Sequence, residues 1–212
     1  LGLGRLWYIE PSSLLCGVVE DHAPGLQGGR RSAYPARALR QRRLLTMMSI
    51  QTVATKSFEG QKPGTSGLRK RVTVFEQEHY TENFVQCILS AIPGGARGAT
   101  LVVGGDGRYL SLPTVQKIVR LAAGNGVAKL IIGQNGILST PAASHVIRLR
   151  KATGGILLTA SHNPGGPNAD FGIKYNVQNG GPAPEAVTNK IYELTTKIDH
   201  YLLQQGDDVD LS

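Results

Sequence analysis

Thr159-Ala160-Ser161-His162-Asn163-Pro164-Gly165-Gly166 is the stretch of this 212-residue chain whose residue types and spacing best suit chemistry. It directly follows Gly155-Ile156-Leu157-Leu158, a continuous apolar run of the kind that makes a buried parallel strand. A hydroxyl presented at a strand end would suit phosphate, with Asn163 and the glycines letting backbone N–H groups close on the anion. The same Asn, Pro and Gly also make an ordinary turn. Residue type alone leaves both readings open.

The familiar alternatives fail on spacing. Gly105-Asp106-Gly107 follows an apolar run, but the third glycine of a dinucleotide fingerprint would fall at Leu110, and no stretch satisfies Gly-x4-Gly-Lys-Ser/Thr. A hydrolase elbow around Ser161 would need glycines where Thr159 and Asn163 stand. His162 is adjacent to Ser161 and so poorly placed as its base. Cys16 and Cys87 make no disulfide framework, and no Cys/His spacing suits zinc.

The elements that must position this loop are legible as alternating runs. Thr52–Thr55 and Arg71–Phe75 read as short strands. A helix is expected after Thr81, ending at Pro93-Gly94-Gly95. Thr100–Val103, Lys129–Ile132 and Gly155–Leu158 are the three buried strands. Between them lie a helix capped by Ser111 and another with Thr140 as N-cap and Pro141 as its first residue. A last helix follows Pro184. The alternation predicts an α/β domain of three α/β/α layers around a mixed, mainly parallel sheet, with the loops after the strands gathered on one edge. His145 and Cys87 are assigned ordinary surface or packing roles.

The formal charge of +8 is unevenly spread. Residues 1–47 hold seven Arg and no Lys against three acids, whereas residues 48–212 hold nine Lys and seven Arg against twelve acids. The basic residues of the longer part are scattered without interleaved aromatics, which argues against nucleic acid. No run approaches the ~20 apolar residues of a membrane span. Residues 1–47 show no sustained period and contain the only Trp, Trp7. They read as a transit peptide, a basic arm, or upstream sequence with translation starting at Met48. The last is preferred, because composition changes abruptly at a Met. The expected organisation is a disordered or non-native leader over 1–47, a domain over 48–204 and a tail over 205–212. A chain starting at Met48 is expected to melt like the whole.

The serine loop resembles that of the α-D-phosphohexomutases, most closely the eukaryotic phosphoglucomutase branch. The likeness extends through Lys62-Pro63-Gly64-Thr65-Ser66-Gly67-Leu68-Arg69-Lys70, Val103-Gly104-Gly105-Asp106-Gly107-Arg108 and Asn168-Ala169-Asp170-Phe171-Gly172-Ile173-Lys174-Tyr175-Asn176, then into Asn179–Pro184. These motifs follow in order over about Ile50 to His200.

The resemblance implies an intramolecular phosphotransferase that interconverts glucose 1-phosphate and glucose 6-phosphate through a phosphoserine at Ser161 and a glucose 1,6-bisphosphate intermediate. It implies that Ser161, Arg69 and Lys174 are catalytic, with Arg69 stabilising phosphate charge by a forked contact and Lys174 moving a proton. It further implies that Thr65, Ser66, His162, Asn163 and Arg108 bind substrate. Magnesium is the implied cofactor, held through the phosphate of Ser161 and through carboxylates that this chain lacks. The implied enzyme is cytoplasmic and monomeric, acts on hexose phosphates, and has four domains, of which this chain holds most of the first. The chain therefore reads as a fragment, inactive alone. A phosphomannomutase or other hexose-phosphate mutase, or a non-catalytic mutase-like binding module, is the alternative.

Overall fold

A computed structural model describes residues 5–11 and 49–212. Within these residues eight strands form in chain order: β1 Leu6–Ile9, β2 Ile50–Ala54, β3 Leu68–Arg71, β4 Thr100–Gly105, β5 Lys129–Ile137, β6 Gly154–Leu158, β7 Asp170–Val177 and β8 His200–Gln204. Among the described residues five helices lie between them: α1 Val72–Phe75, α2 Tyr80–Ala91, α3 Ser111–Gly124, α4 Thr140–Leu149 and α5 Glu185–Thr195.

Six strands make one sheet in the order β1-β5-β4-β6-β7-β3, and β2 and β8 form a separate antiparallel pair. β5, β4 and β6 pair in parallel, while β1, β7 and β3 join through antiparallel pairings. Four of the six strands, β3 to β6, thus point the same way. The expected mixed, mainly parallel sheet is what forms.

The central strands are apolar throughout because both their faces are covered. Leu101, Val103, Leu130, Ile132, Ile156 and Leu158 enter the larger core with Phe84, Ile88, Val115, Ile118 and Ile191 from α2, α3 and α5. Val102, Ile131 and Leu157 alternate to the other face, where Ala143, Val146 and Ile147 of α4 meet them. Among the described residues one face therefore carries several helices and the other α4 alone, which covers Val102, Ile131 and Leu157 on the central strands.

Local chemistry moves some predicted boundaries. The residue capping α4 is Ser139, whose Oγ accepts from the Ala142 N–H, so Thr140 is helical rather than the cap. Ser111 is likewise the first residue of α3, with Leu110 at the N-cap position. Arg71–Phe75, expected as a strand, turns helical at Val72. The β3–β7 ladder ends at Arg71↔Asp170, and the Val72 N–H turns to the Ala169 carbonyl at 2.9 Å. Phe75 then packs edge-on against Phe171 and Tyr80, so tertiary contact outweighs the strand preference of Val and Thr.

Within the stretch expected to be disordered or non-native, a strand forms near the start. Leu6–Ile9 pairs antiparallel with β5 in the register Leu6↔Gly133 to Ile9↔Leu130. Ile9 is buried and Trp7 packs against the larger core, while Leu6 and Tyr8 reach the smaller one. This four-residue alternation is too short to stand out in an irregular segment. Residues 12–47 lie outside the described residues. The tail packs as well: Leu211 is buried, its carbonyl accepts from Trp7 Nε1 at 3.1 Å and from the Asn135 N–H, and Val209 exchanges hydrogen bonds with Gln116.

A chain beginning at Met48 should therefore melt below the full chain. Exposing the site of Ile9 alone removes burial worth about 1.5–3 kcal/mol, and each kcal/mol moves the midpoint of a domain of this size by roughly 2–4 °C. Calorimetry on the two chains checks this; equal midpoints would show that β1 contributes nothing to the fold.

Candidate active site

The carboxyl end of β6 leads straight into Thr159 and Ala160, both buried, and then into exposed Ser161. Ser161 has φ 57°, a left-handed conformation that a residue with a Cβ adopts at a cost on the order of 1 kcal/mol or more. The chain reverses there: the Asn163 N–H donates to the Ala160 carbonyl at 3.2 Å.

Both peptide groups of Ser161 are held. Its N–H donates to Thr159 Oγ1 at 2.9 Å, and its carbonyl accepts from Arg108 Nη2 at 3.2 Å. Thr159 Oγ1 donates in turn to Asp106 Oδ2 at 2.7 Å, just beyond the end of β4. Arg108 closes on the same carboxylate through Nε at 3.0 and 3.1 Å and Nη2 at 2.9 Å, and its Nη1 donates to the Asp170 carbonyl at 2.7 Å. Partial burial pushes the Asp106 carboxyl up, but the hydrogen bonds from Arg108 and Thr159, with the Arg108 charge, bring it below the usual carboxylate range.

Arg69 and Lys174 lie on adjoining antiparallel strands. Arg69 stands opposite Gly172 and Lys174 opposite Leu157, which places both on the sheet face that α4 covers only in part. A Cβ at Gly172 would sit 2.3 Å from the Thr159 carbonyl oxygen and 3.1 Å from Arg69 Cγ. Glycine there lets Arg69 lie across β7 toward the root of the serine loop. The Arg69 Nε is buried without a hydrogen-bond partner. An orphan cationic donor of this kind costs free energy until an acceptor arrives. Partial burial first, and the neighbouring Arg69 charge second, hold the Lys174 ammonium below its ordinary range. Two neighbouring cations, one with an unpartnered buried donor and one with a loosened proton, are suited to receiving an anion.

The remaining candidates divide. Thr65 and Ser66 form the exposed tip of a tight turn closed by paired bonds between Gly64 and Gly67. Gly67, at φ +83°, abuts Ile173 and Lys174 so closely that a Cβ would clash with that backbone. The turn is therefore seated on β7, where Thr65 borders a small apolar gap with Phe84, Ile88, Ile173 and Ile191 of the larger core. His162 Nδ1 is 3.5 Å from Ser161 Oγ, too long for a working base contact, and the ring is exposed. The Asn163 amide donates to Asp170 Oδ2 at 2.9 Å and so shapes the loop. Arg108, expected to bind substrate, has a side chain only 8% exposed and spends its donors on Asp106, Ser161 and Asp170. Its guanidinium is turned into the loop. Thr159, Asp106 and Asp170 were not singled out from sequence; the signal available was that each lies at the end of a strand inside a motif already noted.

Both carboxylates of this cluster are engaged, Asp106 by Arg108 and Thr159, and Asp170 by Asn163 and, at 3.9 Å, Arg71. Among the described residues no group of three or more His, Cys, Asp or Glu side chains is placed to hold a metal ion. These residues do not by themselves fit magnesium. No helix among them is long and apolar enough to cross a membrane. His145 is exposed, and burial pushes the Cys87 thiol up to about 12, a packed and unreactive sulfur.

Fold and site together define an α/β/α domain that presents an exposed serine in a tight loop at the edge of its sheet. The chain belongs to the phosphoglucomutase/phosphomannomutase family, whose alpha/beta/alpha domain I matches residues 60–202. It is 66% identical over 165 residues to a phosphoglucomutase of Aspergillus fumigatus, covering 78% of this chain and 30% of that protein. It is 62% identical over 165 residues to phosphoglucomutase 1 of Drosophila melanogaster, with the same coverage. Among solved structures, the open form of pp63/parafusin, a phosphoglucomutase from Paramecium, superposes with a TM-score of 0.71 at 48% identity, covering 73% of this chain and 28% of that one. The chain thus spans about 30% of the length of these curated relatives.

If Arg69 depresses Lys174 as the geometry requires, Arg69→Gln will raise the Lys174 pKa toward the ordinary lysine value. Titration of the Lys174 Cε and Nζ resonances by NMR measures this; an unmoved or lower midpoint would separate the two side chains.

Proposed function

We propose that this chain provides the serine-bearing first domain of a phosphoglucomutase, with Ser161 as the phosphoryl carrier. The observation that carries the reading is the exposed Ser161, held left-handed at the end of a buried parallel strand, with the orphan Nε of Arg69 and the depressed Lys174 on the adjoining strands. The names of relatives more than 60% identical point to glucose phosphates as the substrate.

In this reading phosphoserine 161 meets the free hydroxyl of a glucose monophosphate. The Oγ–P bond breaks, the sugar oxygen–P bond forms, and glucose 1,6-bisphosphate results. Returning its other phosphoryl group to Ser161 leaves the isomeric monophosphate. Arg69 stabilises the charge on the transferring group, and Lys174 exchanges the hydroxyl proton, a role its lowered pKa favours. Thr65, Ser66 and His162 are exposed and are assigned with Lys174 to the substrate side. Asn163 acts by shaping the loop. Magnesium, expected from the resemblance, would take from this chain only an oxygen of the serine phosphate; its other ligands would lie elsewhere in the protein. A cytoplasmic location is proposed on the same footing, one relative being the cytoplasmic phosphoglucomutase of Pisum sativum.

Incubation with glucose 1,6-bisphosphate carrying radioactive phosphate tests the reading directly. Label should reach one site per chain, map to Ser161, and vanish in Ser161→Ala. Arg69→Lys should slow labelling on the order of a hundredfold, because an ammonium cannot reproduce the guanidinium fork. Mannose 1,6-bisphosphate run in parallel reads the sugar preference. Stoichiometric label that persists in Ser161→Ala would overturn the carrier assignment.

A protein of these 212 residues alone should not sustain interconversion in a coupled assay with magnesium and added bisphosphate, since the bisphosphate must turn within a closed site before it escapes. Steady turnover at the rate of a full-length relative would contradict that expectation.

A further inference from the structure

Ser161 is not a glycine, yet it occupies the left-handed region, so something must hold it there against the local strain. The hydrogen bonds around it form a closed circuit. The Ser161 N–H goes to Thr159 Oγ1, the Thr159 hydroxyl to Asp106, Asp106 to the fork of Arg108, and Arg108 back to the Ser161 carbonyl. Three elements contribute: the end of β4, the end of β6 and, through the Asp170 carbonyl bound by Arg108, the start of β7.

The direction of each bond is fixed by chemistry. Ionised Asp106 only accepts, so Thr159 must donate to it, which turns an oxygen lone pair toward the Ser161 N–H. Arg108 only donates, so it can serve Asp106 and both carbonyls at once. The circuit also pairs one negative with one positive charge beside the serine and consumes the backbone N–H of Ser161. Of the cations discussed here, Arg69 and Lys174 are then the ones left for an incoming anion, consistent with the unpartnered Nε of Arg69.

We propose that Thr159, Asp106 and Arg108 are positioning residues whose hydrogen-bonded circuit sets the backbone of Ser161 and aims its hydroxyl at the phosphoryl donor. This rests on Ser161 being the phosphoryl carrier. Arg108 thereby acts through the serine loop and does not bind sugar phosphate. Thr159 is required for its hydroxyl, in a role that serine can fill and the isosteric valine cannot.

The test uses the 212-residue chain as wild type and as Thr159→Val, Thr159→Ser and Asp106→Asn, with two independent readings. The first is the Ser161 backbone: its Cα and carbonyl NMR shifts report the left-handed conformation, and its amide exchange reports the bond to Thr159. Thr159→Val and Asp106→Asn should lose the left-handed shifts and speed Ser161 amide exchange on the order of tenfold or more, while Thr159→Ser keeps both. The second is the rate of phosphate labelling at Ser161, which should fall at least tenfold in Thr159→Val at saturating donor, with the half-saturating donor concentration unchanged, and recover in Thr159→Ser. If the wild type itself takes no label, the carrier reading fails while the NMR reading still decides the circuit. Thr159→Val with wild-type Ser161 shifts and exchange overturns the proposal, even if its melting temperature falls. Should Thr159→Val not fold, Asp106→Asn gives the same two readings, and native Ser161 shifts in it would be equally decisive against the circuit.

Discussion

Burial of β4, β5 and β6 on both faces leaves their side chains nothing to do but pack, so polar chemistry is confined to the points where these strands end. β4 ends at Gly105, one residue before Asp106, and β6 ends at Leu158, one residue before Thr159. Because the two strands are adjacent and parallel, with Gly105 paired to Leu158, these polar residues emerge side by side. The 2.7 Å contact between Thr159 and Asp106 follows from register more than from any special loop design. The rest of the serine loop depends on that adjacency.

The sheet is also unequally clothed, and the site uses the inequality. α4 covers the central strands on the second face, while β7 and β3 carry Lys174 and Arg69 there. Two cations in contact with a packed helix would be costly to desolvate. At a half-covered margin they stay partly hydrated, and the Arg69 charge still loosens the hold of Lys174 on its proton. The antiparallel return of β7 brings them next to a loop that lies far from Arg69 in sequence.

How much of this was legible follows from how locally each feature is encoded. The central strands and the inner faces of α2 and α3 declare themselves by unbroken or 3.6-period apolar patterns, and the structure agrees. β7 was absorbed into a motif, although Phe171, Ile173 and Tyr175 alternate as a strand facing one core. The turn from strand to helix at Val72 depends on Asp170 ending the ladder, a partner ninety-eight positions away that no local pattern carries. Ser161, Arg69 and Lys174 could be named because their motifs are distinctive. The inward turn of Arg108 could not, since a guanidinium near a serine reads equally well as a ligand for substrate or for a neighbouring carboxylate. Only the geometry of Asp106 separates the two.

The single tryptophan sits at a junction of three remote parts of the chain: the strand beginning at Leu6, β5 beside Ile132 and the carbonyl of Leu211. Intrinsic indole emission therefore does not report on the main hydrophobic interior at large, as it would for a tryptophan buried between α2 and the sheet. It reports whether the two chain ends are docked at one margin of the sheet. A fluorescence transition that precedes the loss of circular dichroism would be fraying at that seam, with the serine loop, three strands away across the sheet, still intact. This protein thus carries a built-in optical gauge for its periphery, separable from any probe of its chemistry.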